Sequence, residues 1–345
     1  MYPRTVGFHA DGKTICWSKK HYSKEYPTFK LPCSKCIECR LEYARQWAVR
    51  SVHEAKMHEQ NSFITLTYNK ENLTQKLDYV DFQEFIKKLR DQIFRETTEK
   101  YFGKTYWSQL NKEERKLHLK AQGELYAPTR IGFFVTGEYG EINKRPHWHA
   151  IIFNWKPTDC VHKYTNERGD RVSSSENLTK LWGKGFAEIG SVTFESAGYV
   201  ARYAAKKLVH GKDEDHDYHP ISKKSSKHAI GKKWLERYWK DTLIDGTIVM
   251  LNKDGGHAKV PIPRYYEKWM LKNHPEEYIR YVTEKKCINS SKMEQKAKEE
   301  QDTQDEINRY RDTWNRGLHI DRQTVKKVII EEKFKRLQKH LKGDI

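Results

Sequence analysis

His147 and His149 stand two apart in the apolar run Pro146-His147-Trp148-His149-Ala150-Ile151-Ile152-Phe153. Tyr199 and Tyr203 stand four apart in Tyr199-Val200-Ala201-Arg202-Tyr203. On a strand, alternate residues point to one face, so both imidazoles would face the same way. Such a pair can hold two positions of one divalent cation; the plainer reading is two satisfied histidines on a half-buried strand. On a helix, residues four apart lie one turn apart, with Cβ atoms about 5–6 Å from each other. Lys206 and Lys207 follow Tyr203 by three and four residues, close to the same surface. For the tyrosines the plainer reading is packing under a neighbouring loop. Taken together, the pieces are those of a metal-assisted phosphodiester transferase. A phenol with a pKa near 10 is a weak nucleophile at neutral pH, and a cation on the scissile phosphate lets it attack.

The elements that must position these groups are legible around them. Residues 63–68 form a β-branched and aromatic run, ended by an Asn-Lys-Glu-Asn cluster, which predicts a strand. Asp81, with Glu84 three residues later, reads as a helix cap, and Phe82, Phe85, Ile86, Leu89 and Ile93 follow at helical spacing. Residues 130–136 predict a strand that delivers the chain to Gly137 and pairs with the histidine strand as an antiparallel hairpin. Its turn, 141–146, is polar and carries Lys144 and Arg145. Next come a polar loop with Cys160 and His162, a short strand at 189–192, and a helix over 196–208 with Val200, Ala204 and Leu208 on one face.

Ahead of this core, Cys33, Cys36 and Cys39 repeat every third residue and lead into a basic helix. Three thiols could bind zinc if Cys16 or His21 supplied a fourth ligand; otherwise they are reduced cysteines packing a helix start. Beyond 212 the sequence is loop-rich, with His210, His216, His219 and His228 scattered without ligand spacing. Residues 247–251 and 261–266 suit a small accessory layer. A last helical stripe comprises Ile330, Phe334, Leu337 and Leu341.

Of 345 residues, 37% are hydrophobic and 32% charged, and the formal net charge is +18. That excess favours a polyanionic partner, most simply nucleic acid. Aromatic residues make up 12%, including 20 Tyr and 10 Trp, a content that suits single strands whose bases stack on rings. There is no signal-peptide pattern, no bilayer-spanning apolar run and no basic amphipathic membrane helix, so a soluble intracellular protein is expected. Six cysteines, three of them clustered, do not resemble a secreted disulfide framework.

In order and spacing, Gly137-Glu138-Tyr139-Gly140, Arg145-Pro146-His147-Trp148-His149 and Tyr199-Val200-Ala201-Arg202-Tyr203-Ala204-Ala205-Lys206 resemble the motifs of HUH-superfamily rolling-circle replication initiators. With the cysteine cluster and the strand at 63–68, they resemble more narrowly the replication-associated proteins of microviruses, the gokushovirus-like single-stranded DNA phages. The resemblance covers most of 31–210. It implies an α+β fold, the HUH endonuclease fold, with a central five-stranded antiparallel sheet flanked by helices, and a helical C-terminal extension. It implies Mg²⁺ or Mn²⁺ held by His147, His149 and an acid, Glu138 in preference to Glu141. Tyr199 and Tyr203 would be alternating nucleophiles assisted by Lys206, with Arg145, Arg202, Lys207, Thr65 and Thr67 contacting DNA. The chain would divide into 1–60 (cysteine cluster and basic helix), 61–211 (endonuclease core, with 96–129 an insertion), 212–283 (accessory layer) and 284–345 (charged helical tail).

The expected activity is site-specific nicking and joining of origin DNA in the cytoplasm of an infected bacterial host. Host helicase and polymerase would be partners, and no membrane is involved. An HUH transposase or plasmid initiator, or a non-catalytic single-stranded nucleic-acid-binding protein, are the alternatives.

Overall fold

The computed structural model describes residues 3–34, 36–74, 76–140, 145–166, 169–206, 221–225, 229–251, 255–314 and 322–342. β1 (Pro3–Phe8), β2 (Ile15–Cys16) and β3 (Phe29–Pro32) form a small antiparallel sheet with β1 in the middle. α1 (Ile37–Ala55) follows, burying Ala44, Ala48 and Val49. In β4 (Asn61–Tyr68), Ser62, Ile64, Leu66 and Tyr68 are buried while Phe63, Thr65 and Thr67 face the other side. This is the period-2 pattern of a strand.

α2 (Tyr79–Phe102) is capped by Asp78, whose carboxylate accepts the Val80 N–H at 2.9 Å. The sequence placed that cap at Asp81. Instead, Asp81 accepts the Tyr68 hydroxyl at 2.7 Å and pairs with Lys184 at 2.8 Å, so the acid is drawn into side-chain contacts. α2 runs on past residue 96, where the sequence suggested an insertion, and is followed by α3 (Tyr106–Gln109) and α4 (Lys112–Ala121). The last of these starts with a capping box between Asn111 and Glu114.

The rest of the core comprises β5 (Gly132–Tyr139), β6 (Pro146–Phe153), β7 (Val161–Thr165), β8 (Arg171–Ser174), α5 (Glu176–Trp182), β9 (Gly185–Gly190), α6 (Phe194–Lys206) and β10 (Ile221–Lys224). The main sheet is antiparallel, in the order β10-β5-β6-β4-β9-β8-β7. It has seven strands, not the five that were expected. The stretch read as a polar loop after Phe153 contains the β7–β8 hairpin, whose β-branched Val161, Thr165 and Val172 favour extended backbone. Its turn is set by Asn166, whose side chain accepts the Asp170 N–H at 2.8 Å, and by Gly169 at φ 74°. The strand expected at 189–192 lies at 185–190, where it pairs with β4.

β6 lies between β5 and β4 and is buried along its whole length. Trp148, Ala150 and Ile152 pack with Ile64, Leu66 and the inner faces of α2 and α5. Ile151 and Phe153 point the other way and pack with Phe134, α1 and α6. His147 and His149 share this second face, under α6.

Further along lie α7 (Lys232–Asp245), β11 (Thr247–Leu251), β12 (His257–Pro261), α8 (Arg264–Asn273) and α9 (Pro275–Tyr281), then α10 (Cys287–Trp314) and α11 (Arg322–Lys342). The β11–β12 pair and α7–α9 form a separate apolar cluster that Val49 of α1 joins. Tyr265 and Tyr266 diverge there, Tyr266 bonding His53 at 3.0 Å and Tyr265 lying 4.1 Å from the Arg50 guanidinium. Phe334 of the last stripe meets Arg40 of α1 at 5.6 Å. The side chains of Leu337 and Leu341, and the residues His210, His216, His219 and His228, lie outside the described part. Among the described residues no helix is long and apolar enough to cross a membrane.

Candidate active site

The register of three strands assembles the site. Glu138 of β5 pairs with His147 of β6, and His147 pairs with Thr67 of β4; one row on, Thr136, His149 and Thr65 line up likewise. Directly paired residues share a face, so Glu138 and both histidines converge. Glu138, His147 and His149 are 5%, 3% and 3% exposed, and one ligand atom from each lies within 4.8 Å of the others. Nε2 of His147 is 3.0 Å from Glu138 Oε1, and Nε2 of His149 is 2.9 Å from the same oxygen.

The outer nitrogens are engaged as well. His147 Nδ1 lies 3.1 Å from the Arg145 carbonyl oxygen, and His149 Nδ1 lies 3.0 Å from Thr65 Oγ1. Such outer partners fix the ring plane and tautomer of a ligating imidazole, directing the Nε2 lone pair inward. The donor set, one carboxylate and two imidazoles, fits a divalent cation. Burial would raise the Glu138 carboxyl, but hydrogen bonds from His147 and His149 outweigh it and hold the group down at about 2. Burial lowers His149 below its usual range, against the pull of the Glu138 hydrogen bond and charge, so a neutral imidazole is favoured.

α6 crosses this platform. Its Ala197, Val200 and Ala201 bury against the sheet and α1, which aims Tyr199 at the metal ligands. The Tyr199 hydroxyl donates to Glu138 Oε1 at 3.2 Å and lies 3.3 Å from His149 Nε2. Phe63 stacks parallel to His149 at 5.9 Å and meets Tyr199 edge-on at 6.3 Å, walling the site. On the opposite sheet face, the Trp148 indole donates to the Tyr68 hydroxyl at 2.9 Å, which in turn donates to Asp81. The residue between the two histidines is thereby pinned.

Of the residues singled out by sequence, Glu138, His147, His149 and Tyr199 come together. Thr65 is there too, bonded to His149. Thr67 lies in the Glu138–His147 row, and Arg145 supplies a carbonyl to His147 and has a buried Nε with no hydrogen-bond partner. Arg202 is half-buried on α6. The side chains of Tyr203 and Lys206, and all of Lys207 and Glu141, lie outside the described residues. Sequence reasoning missed the orienting role of Thr65 and also missed Phe186. Phe186 pairs with Thr67 in the same row as His147 and is 64% exposed. Only the strand register reveals either.

An antiparallel sheet presenting a buried His-Glu-His set to a tyrosine on a crossing helix accords with the comparisons. The chain belongs to the replication-associated proteins of small phages. It is 44% identical over 343 residues to replication-associated protein VP4 of Bdellovibrio phage phiMH2K, covering 99% of this chain and 98% of that protein. It is 29% identical to replication-associated protein ORF2 of Spiroplasma virus 4, over 74% of this chain and 72% of that protein. It is 30% identical to replication-associated protein ORF4 of Chlamydia phage 1, over 73% of this chain and 56% of that protein. The family model for replication-associated proteins of the ORF2 type matches residues 96–208, a span that holds both the histidine strand and the tyrosine helix. No solved structure matches the chain.

Proposed function

We propose that the chain is a replication initiator endonuclease. It nicks the origin of a small circular DNA genome, stays joined to the 5′ phosphate through tyrosine, leaves a 3′-OH primer for rolling-circle replication and rejoins the product. The observation that carries this reading is the Tyr199 hydroxyl, within 3.3 Å of two of three buried metal-type ligands.

Bound by Glu138, His147 and His149, Mg²⁺ or Mn²⁺ would neutralise the scissile phosphate and polarise its phosphorus. Tyr199 then attacks: its oxygen–phosphorus bond forms, the bond from phosphorus to the 3′ oxygen breaks, and the phenolic proton is balanced by one on the departing oxygen. A carboxylate held at about 2 is too weak a base to deprotonate a phenol of pKa about 10, so Glu138 serves as ligand, not general base. Reversal of the same step by a 3′ hydroxyl rejoins the strand. Tyr203, one turn on, is the second nucleophile, and Lys206 supports the phosphate. Arg145, Arg202, Lys207 and Thr67 hold the DNA backbone, while Thr65 acts through His149. This places the protein in the cytoplasm of the infected host, with single-stranded origin DNA and the host replication machinery as partners. Family membership favours this reading over a transposase or plasmid initiator that shares the chemistry.

The test is an origin-bearing single-stranded oligonucleotide with Mn²⁺, scored for a covalent protein–DNA adduct. The adduct should vanish with EDTA or in His147→Ala. It should survive Tyr199→Phe or Tyr203→Phe alone and disappear in the double variant. An adduct that persists in the double variant overturns the tyrosine assignment, and none in the wild type favours a non-catalytic binding protein.

A further inference from the structure

The three thiols ahead of α1 form a second cluster that the nicking chemistry does not use. The sulfurs of Cys33, Cys36 and Cys39 all lie within 4.8 Å of one another, and those of Cys33 and Cys39 are 3.9 Å apart. None is in a disulfide. Ligands at about 2.3 Å from a tetrahedral zinc ion sit about 3.8 Å from each other, so the observed separation is that of two sulfurs sharing one ion. The space they enclose suits one ion and is too small for an iron–sulfur cluster.

The backbone supports the same arrangement. The chain turns between β3 and α1 with Ser34 at φ 60°, a left-handed conformation that costs a non-glycine residue energy and must be stabilised by its surroundings. That turn directs the Cys36 N–H at Cys33 Sγ, 3.3 Å away, and the Ser34 N–H at Cys39. Backbone donors aimed at sulfur favour thiolates over thiols. Burial and the neighbouring thiols push the Cys39 thiol above its usual range, so ionising all three sulfurs together requires a cation between them. Arg40, one residue past the cluster, interacts electrostatically with Cys36, and its buried Nε has no hydrogen-bond partner. Three thiolates around a divalent cation leave one net negative charge, which this guanidinium can offset.

The geometry points to a zinc site formed by the thiolates of Cys33, Cys36 and Cys39, with water in the fourth position. Cys16 and His21 fall outside the cluster, and the Cys16 thiol donates to the Ser18 carbonyl at 3.4 Å. The ion ties the end of β3 to the first turn of α1. Because α1 packs against α6, the site braces the helix that backs Tyr199. The inference rests on the cysteine geometry and does not depend on the nicking reaction.

The experiment uses the full chain without a polyhistidine tag, in which bound zinc is replaced by Co²⁺. The expected result is a thiolate-to-cobalt charge-transfer absorption that persists in the His147→Ala/His149→Ala double variant and is lost in Cys36→Ser. X-ray absorption at the zinc edge of the double histidine variant provides a readout that needs no cysteine substitution, and should show three sulfur neighbours at about 2.3 Å. A folded, reduced wild type without the charge-transfer band overturns the proposal. So does a zinc shell of nitrogen and oxygen only, or a native disulfide among the three cysteines found by mass spectrometry.

Discussion

At the scale of single residues, the site depends on the groups that hold its ligands as much as on the ligands. Thr65 touches His149 through Nδ1, so Thr65→Val should keep the fold but weaken Mn²⁺ binding by roughly 10–100-fold, measured by titration calorimetry. The histidines also set a pH window. Burial, the largest influence, lowers His149 from 6.5, so the folded chain binds fewer protons there than the unfolded chain. This contribution to stability is therefore lost as pH falls through the unfolded value. Protons and cation compete for the same imidazoles, so the rise in Tm caused by Mn²⁺ should shrink from pH 7.5 to pH 5.5, read by thermal unfolding. The sequence disclosed His147, His149 and Tyr199 because their spacing is local. It could not disclose that Thr65 serves His149, because that contact spans 84 residues and exists only through strand pairing.

At the scale of elements, the decisive property is the register of β4, β5, β6 and β9. Gly137 shows how tightly it is set. A Cβ at Gly137 would come within 2.6 Å of the Trp148 ring and 3.0 Å of Leu77. Gly137→Ala should thus destabilise the fold by roughly 1–3 kcal/mol in urea unfolding, and should lower metal affinity by displacing the residue between the two histidines. The same register places Phe186 in the row of Glu138, His147 and Thr67, two strands from the metal ligand and about 10 Å away. An exposed ring at that distance suits a base flanking the scissile phosphate. Phe186→Ala should weaken single-stranded oligonucleotide binding by about 1–3 kcal/mol in fluorescence anisotropy, with Mn²⁺ affinity unchanged. Sequence patterning revealed β4, β5, β6 and α6 because each buries a face and must be written with its own period. It did not reveal the β7–β8 hairpin because all five residues of β7 are exposed and carry no burial signal. The cap of α2 was misplaced by three residues because Asp78 and Asp81 are chemically equal candidates, and only the Tyr68 and Lys184 contacts separate them.

At the scale of the whole molecule, the charge of +18 governs encounter with DNA more than chemistry. Neutralising about six phosphates of a single strand gives a slope of about −4 in log affinity against log salt. Binding should then fall by roughly two orders of magnitude or more between 50 and 200 mM salt, while Tyr199→Phe leaves the slope unchanged in the same anisotropy assay. Composition predicted that behaviour, but not where the cations gather, since charge count is blind to arrangement. The packing of α1 on α6 also has a consequence for synthesis. α1 is complete at residue 55, whereas its partner does not begin until residue 194. At about 5–20 residues per second, the ribosome takes roughly 7–28 s to make the intervening chain. During that interval β4, β5 and β6 can pair, but their histidine-bearing face has no tyrosine above it. Shorter nascent chains therefore carry the ligands without the nucleophile, and α6 completes the active site only after the rest of its platform has been made.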